Sequence, residues 1–186
     1  MTGSIDTTRL IRSAASGDRQ AFDKLYAHLY DDLREIAKQR LQRHQAGETL
    51  NTAALVHEAY LRLADHGKFD LRDRAHFLAL ASRAMRFVLV DVARARTAAK
   101  RGGAATPLPI DDIQIAADDR AAELIALDEA LERLSSHDPR LASLVEYRFF
   151  GGLTYDEIAA ATGLSVPTVK RDWTRARTWL YHEMQR

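Results

Sequence analysis

Residues Leu153 to Leu180 constrain this chain more than any other stretch, because they fit two helices joined by a tight turn and little else. Thr154 is a helix-capping residue, and Glu157 stands three positions on, where its side chain can return the bond in a capping box. Ile158 and Ala159 fall on the inward side, and the small Ala159 lets a second helix cross closely. Gly163 follows that helix, where the turn needs a left-handed residue. Ser165 then caps a second helix, with Pro167 in its first turn, where a missing N–H costs nothing. Val169, Trp173, Ala176 and Leu180 make its inner stripe, at spacings of four, three and four. Thr168, Lys170, Arg171, Thr174, Arg175, Arg177 and Thr178 face outward. Cations mixed with short hydroxyls are what phosphates and base edges accept. The pattern is a helix-turn-helix, which sets its second helix into a DNA major groove.

Charge narrows the reading. Lys and Arg total 27 against 26 Asp and Glu, a net charge of only +1. A free-standing DNA binder is usually more basic, since phosphate neutralisation supplies much of its affinity. Here the charges are segregated. Arg94, Arg96, Lys100 and Arg101 cluster without an acid; Asp111, Asp112, Asp118 and Asp119 cluster without a base. That suggests basic DNA-facing surfaces separated by an acidic connector.

Other chemistries find no foothold in the sequence. Cysteine is absent, so disulfides and thiolate metal sites are excluded and a reducing compartment fits. His57-Glu58 opens like a zinc-protease motif, but Leu61 stands where the second histidine belongs. The seven histidines lack ligand spacing, and neither Gly102-Gly103 nor Gly151-Gly152 carries the Lys-Ser/Thr of a phosphate-binding loop. No catalytic residue, metal or cofactor is expected. The N-terminus is polar, and the longest apolar stretch, Phe77 to Ala93, is broken by Arg83, Arg86 and Asp91. A soluble cytoplasmic protein with no membrane contact is expected.

The chain reads as all-α. Phe22, Leu25, Leu29, Leu33, Ile36 and Leu41 mark one amphipathic helix. Gln42 to Asn51 reads as a loop, and a second helix runs from about Thr52 to Asp65 with Leu55, Ala59 and Leu63 inward. After a turn over Gly67 to Leu71, a third helix starts near Arg72 and continues to Arg96 or Lys100. Glycine, proline and acids from Gly102 to Asp119 read as a linker. Helices resume near Arg120, with the stripe Leu124, Leu127, Leu131 and Leu134. Pro139 opens the next helix, with Leu141, Leu144, Val145 and Phe149 inward. Two helical domains follow, 1–101 and 120–186, joined by a flexible acidic linker, 102–119.

A basic long helix, an acidic tether and a C-terminal helix-turn-helix, in this order, resemble a bacterial sigma factor. The nearest likeness is the extracytoplasmic-function (ECF) group of the sigma-70 family. It rests on Leu55-Val-His-Glu-Ala-Tyr-Leu-Arg-Leu63, Phe77 through Arg96, and Leu153 through Leu180. Val169-Lys-Arg-Asp-Trp173 and Ala176-Arg-Thr-Trp-Leu180 are similar to one ECF-like subgroup. The resemblance implies a sigma-2 bundle of three to four helices and a sigma-4 domain. It implies an alternative sigma factor that directs promoter-specific initiation, with RNA polymerase core (β′ clamp helices and β flap) and promoter DNA as partners.

Site residues follow from that likeness. Leu55, His57, Glu58, Tyr60 and Arg62 belong to the helix that would dock on the β′ clamp. His76, Arg83 and Arg86 would meet the melted −10 element, while Phe77 falls on the apolar stripe and reads as core. Arg94, Arg96, Lys100 and Arg101 would hold phosphates beside it. Thr168, Lys170, Arg171, Thr174 and Arg175 would read the −35 element, with Arg177 on a phosphate or simply solvated. Asp172 stands where many members carry a base; it can accept from a cytosine amino group or pair with Lys170 or Arg175.

One departure matters more. Members usually place an acidic cluster of region 2.2 before the Leu-Val of the docking helix; this chain has Asn51-Thr-Ala-Ala54. Phosphorylation at Thr52, with Thr49 second, would restore negative charge at a helix start, where the macrodipole favours it. Thr52 reads equally well as a plain N-cap. A Ser/Thr kinase or an anti-sigma factor is therefore a further expected partner. Two other readings stay open: a stand-alone helix-turn-helix regulator, and an adaptor that binds polymerase without DNA.

Overall fold

The computed structural model describes residues 6–43, 49–65, 71–100 and 118–185. These form α1 (Thr7–Ala15), α2 (Arg19–His28), α3 (Tyr30–Arg43), α4 (Thr49–Ala64), α5 (Arg74–Lys100), α6 (Asp118–His137), α7 (Pro139–Val145), α8 (Tyr155–Thr162) and α9 (Val166–Met184). A single π-helical turn, Glu146–Phe150, extends α7. No strand occurs among the described residues, and the fold is all-α.

Side-chain caps fix most of the helix starts. Asp6, Asp18, Asp138, Thr154 and Ser165 each accept the backbone N–H three residues on, satisfying a donor that the first turn leaves open. Asp73 does the same for α5, accepting from His76 N at 2.8 Å. That cap puts the start of α5 at Arg74 rather than Arg72.

Several sequence expectations shift. α1 was not foreseen, although Ile11 and Ala14 sit at helical spacing and are both buried. The single stripe from Phe22 to Leu41 belongs to two helices, interrupted at Leu29 (φ −99°, ψ 12°). The interruption is one residue wide, and backbone bonds run across it, so the stripe stays on one face: Phe22, Leu25, Leu29, Leu33 and Ile36 are all buried. The expected loop from Gln42 to Asn51 is invaded by helix from both ends, by α3 as far as Arg43 and by α4 from Thr49. Thr52 therefore lies inside the first turns of α4, not at its cap. The turn from Gly67 to Asp70, and the linker as far as Ala117, lie outside the described residues.

α5 is the central rod, about 40 Å long at 1.5 Å per residue. Phe77, Ala81, Met85, Val88 and Ala93 are 0 % exposed, and Leu78, Ala84, Leu89 and Val90 are nearly so. α5 is buried on most of its sides because α1, α3, α4, α6, α8 and the π turn all pack against it. Each large side chain so buried contributes about 1.5–3 kcal/mol. Phe22, Tyr26 and Phe77 gather beside it, with ring centroids about 6 Å apart. Ala121 and Leu124 of α6 join this first core. The rest of α6 packs with α7 and α9 around Leu134, Leu141, Phe150 and Ala176. A third, small core, Leu144, Leu153, Ile158 and Val169, holds the helix-turn-helix together and receives Ala75 of α5.

Candidate nucleic-acid interface

The helix-turn-helix forms as its residues dictate. Thr154 N donates to Glu157 Oε2 at 2.8 Å and Glu157 N to Thr154 Oγ1 at 3.2 Å, a complete capping box. The Glu157 carboxyl is held below its ordinary pKa, chiefly by the Thr154 backbone N–H. Gly163 ends α8 at φ +71°, the left-handed region. Ser165 Oγ accepts from Thr168 N at 3.3 Å, with Pro167 in the first turn of α9. Val169, Ala176 and Leu180 are buried and Trp173 packs against them, so α9 presents its other side to solvent. Lys170, Arg171, Thr174, Arg175, Arg177 and Thr178 are exposed there, and Thr168 is half-buried. Lys170 Nζ stands 5.6 Å from the centroid of the Tyr155 ring, tying α9 to the start of α8.

Asp172 takes no part in this outer face. It is 0 % exposed, with Arg140 Nη2 at 2.9 Å, Arg175 Nη1 at 3.5 Å and Arg171 Nε at 3.6 Å. The pairing with Arg175 was visible as an i, i+3 spacing. Arg140, 32 positions earlier and on another helix, was not.

The −10 candidates on α5 are placed differently. Arg86 is buried, 3 % exposed, with Nη1 3.1 Å from Asp128 Oδ1 and Nη2 3.4 Å from Glu146 Oε1. Its guanidinium lies 4.8 Å from the centroid of Phe87 and 5.3 Å from that of Phe150. Arg83 Nε stands 3.4 Å from Glu146 Oε1, and Arg94 Nη2 stands 3.3 Å from Asp128 Oδ2. His76 is half-buried, its ring 6.3 Å from that of Tyr147. These four residues thus face α6 and the π turn. Burial dominates the electrostatics there: it pushes the Asp128 and Glu146 carboxyls up and the Arg86 guanidinium down, against the pull of the opposite charges. Asp128 and Glu146 were missed in the sequence. Asp128 had a signal, an acid on the Leu124–Leu131 stripe; Glu146 begins the π turn, which no local spacing announced. The side chains of Arg96 and Lys100, and all of Arg101, lie outside the described residues.

On α4, His57 is exposed and Glu58 half-buried. Leu55 is 0 % exposed, a core side chain. The Tyr60 hydroxyl donates to Asp23 Oδ1 at 3.0 Å and accepts from Arg19 Nη2 at 2.9 Å. Arg62 pairs with Asp91 of α5. Leu61, weighed in the sequence only against a zinc motif, is 42 % exposed and shares a face with Ala53 and His57. Thr52 is 5 % exposed; the side chain of Thr49 lies outside the description. A second, mostly apolar surface lies on the other half of the molecule, a cleft of about 520 Å³ lined by Leu127, Val145, Phe149, Trp173 and Tyr181 together with Thr174, Arg177 and Thr178 of α9.

A family model described as ECF sigma factor matches residues 4–186, nearly the whole chain. The chain belongs to the ECF sigma factor family. No curated protein and no solved structure matches it. As an ECF sigma factor it is an alternative sigma factor for transcription initiation, and its family binds RNA polymerase core and promoter DNA. Among the described residues of this sigma factor, no helix is long and apolar enough to cross a membrane.

Proposed function

We propose that this sigma factor divides promoter recognition between two parts of the chain: a −10 and polymerase-docking part over 1–101, a connector over 102–119, and a −35-reading part over 120–186. The observation that carries this reading is the exposed face of α9, cationic and hydroxylated, mounted on a fully capped helix-turn-helix. Arg171 and Arg175 read base edges, and Lys170 and Arg177 hold phosphates. The face of α4 carrying Ala53, His57 and Leu61 meets the β′ clamp, and the β flap binds elsewhere on the part over 120–186. The test is a footprint on promoter DNA with and without core polymerase. Protection at −35 and −10 only with core is expected. Protection without core would make the chain a stand-alone regulator; polymerase binding without protection would make it an adaptor.

The missing acidic cluster supports a further part of the reading: a phosphate on Thr52, or on Thr49, supplies the charge for clamp docking. α4 has no acid in its first turn. Because Thr52 is buried, a Ser/Thr kinase acting on it needs that turn to unwind first. An anti-sigma factor is the competing form of control. Titrating core polymerase with unmodified and Thr52-phosphorylated protein decides; equal affinities would remove the switch.

A further inference from the structure

We propose that Asp172 is a specificity-determining positioning residue, which holds Arg171 and Arg175 side by side over the −35 bases without touching DNA itself. This rests on the reading of α9 as the −35 helix. The Asp172 side chain is 0 % exposed, so no base edge reaches it, whereas its three arginine partners are each more than half exposed. The two carboxylate oxygens have different partners. Oδ2 stands 2.9 Å from Arg140 Nη2 of α7, the helix packed against α9. Oδ1 stands 3.6 Å from Arg171 Nε and 3.5 Å from Arg175 Nη1. One oxygen is thus fixed from a neighbouring helix, and the other is shared by the two arginines assigned to base reading.

Stability does not account for an acid at this position. Asp172 lies on the buried stripe of Val169, Ala176 and Leu180, where an apolar side chain would pack without the cost of desolvating a charge. What the acid supplies is an arrangement. Arg171 and Arg175 are four residues apart on one helix, and like charges at that spacing repel. A carboxylate oxygen between them turns the repulsion into a shared attraction and restricts both long side chains.

The restraint leaves donors for DNA. A guanidinium carries five N–H donors. Arg171 meets the carboxylate through Nε, so its two Nη groups remain for a guanine edge. Arg175 meets it through Nη1 and keeps Nη2. Ordering a rotamer-rich side chain during binding weakens binding roughly two- to tenfold, and ordering done in advance removes that loss for the sequence that fits. The same buried charge acts against random DNA, because it lowers the positive potential that phosphates meet. Both effects raise the ratio of specific to non-specific binding.

The test uses holoenzyme assembled from core polymerase and the full chain, selecting from a duplex library with a randomised −35 segment. Asp172→Asn is expected to lower the preference for the enriched sequence over random duplex about tenfold. It should also steepen the salt dependence of random-duplex binding by about one charge. Arg171→Ala and Arg175→Ala, whose effects on preference are coupled in the unmodified protein, should become additive in the Asp172→Asn background. Unchanged preference in a folded Asp172→Asn variant would overturn the proposal. Unchanged preference in both arginine variants would instead remove the −35 reading of α9 on which the proposal rests. Should Asp172→Asn not fold, NMR relaxation of the arginine Nε–H groups in the unmodified full chain decides. Arg171 and Arg175 are then expected to be more restrained than Arg177, for which no ion pair is found among the described residues. Equal mobility of all three would overturn the proposal.

Discussion

Arg140 reaches from α7 to α9 and places Nη2 2.9 Å from Oδ2 of Asp172, a carboxylate with no exposure to solvent. The relationship is asymmetric, because the Arg140 side chain is 52 % exposed and the acid is not. Removing the acid returns arginines to water; removing Arg140 leaves a buried charge with only its two longer contacts.

Arg140→Ala should therefore destabilise the C-terminal half more than Asp172→Asn does. A loss of about 1–3 kcal/mol is expected for Arg140→Ala, the range for a buried polar group deprived of its partner. Asp172→Asn should chiefly free Arg171 and Arg175, raising affinity for random DNA while lowering discrimination among sequences. Thermal melts and competition binding measure the two effects. Equal melting losses for the two variants would contradict the asymmetry.

Gly163 and Gly151 should each resist alanine, for different reasons. At Gly163 a Cβ would meet nothing within 4 Å, but φ is +71°, and the left-handed conformation costs an L-residue about 1–2 kcal/mol. At Gly151 the backbone is ordinary, but a Cβ would come within 2.6 Å of Leu153 Cδ1 and 2.7 Å of the Tyr147 carbonyl oxygen. Relieving that overlap is expected to cost about 1–3 kcal/mol. Denaturant unfolding of Gly163→Ala and Gly151→Ala checks both, and Gly163→Asn, a residue tolerant of that conformation, should recover part of the first loss.

The capping box of α8 should show in the pH dependence of stability. The Glu157 carboxyl has a folded pKa below its unfolded one, so it stabilises above the unfolded value and loses that contribution as pH falls through the lowered folded value. Glu157→Gln should flatten this acid limb in melts between about pH 7 and pH 3. Thr154→Ala, which removes the reciprocal acceptor, should cost about 1 kcal/mol at neutral pH.

Tyr26 ties α2 to α4. Its hydroxyl, buried, donates to the Val56 carbonyl at 2.8 Å, and burial pushes the phenol well above its ordinary pKa. Tyr26→Phe keeps the ring among Phe22, Tyr60 and Phe77 and deletes only the bond, so a loss of about 0.5–1.5 kcal/mol is expected in denaturant unfolding. A much larger loss would mean that the hydroxyl does more than join two helices.

Much of the fold could be read along the chain because its signals are short-ranged. A cap acts over three residues and an amphipathic stripe over four, so Thr154, Gly163, Ser165 and the Val169–Leu180 stripe marked the helix-turn-helix unaided. The same locality explains what was misread. A stripe that continues across one non-helical residue looks unbroken, which hid the interruption at Leu29. Neither is a cation in an apolar stretch self-explanatory: Arg86 inside Met85–Val90 suits a strand-binding surface or a buried pair alike.

The sequence by itself determined the all-α class, the caps and turn of the helix-turn-helix, and the cationic outer face of α9, since each depends on residues within a turn or two of one another. Only the tertiary structure decided that Arg83, Arg86 and Arg94 face Asp128 and Glu146, that Arg140 holds Asp172, and that Leu61 is left uncovered on α4. Those relationships join residues tens of positions apart. Their partners are set by how the helices pack around α5, and packing is a property of the assembled chain that no local spacing encodes.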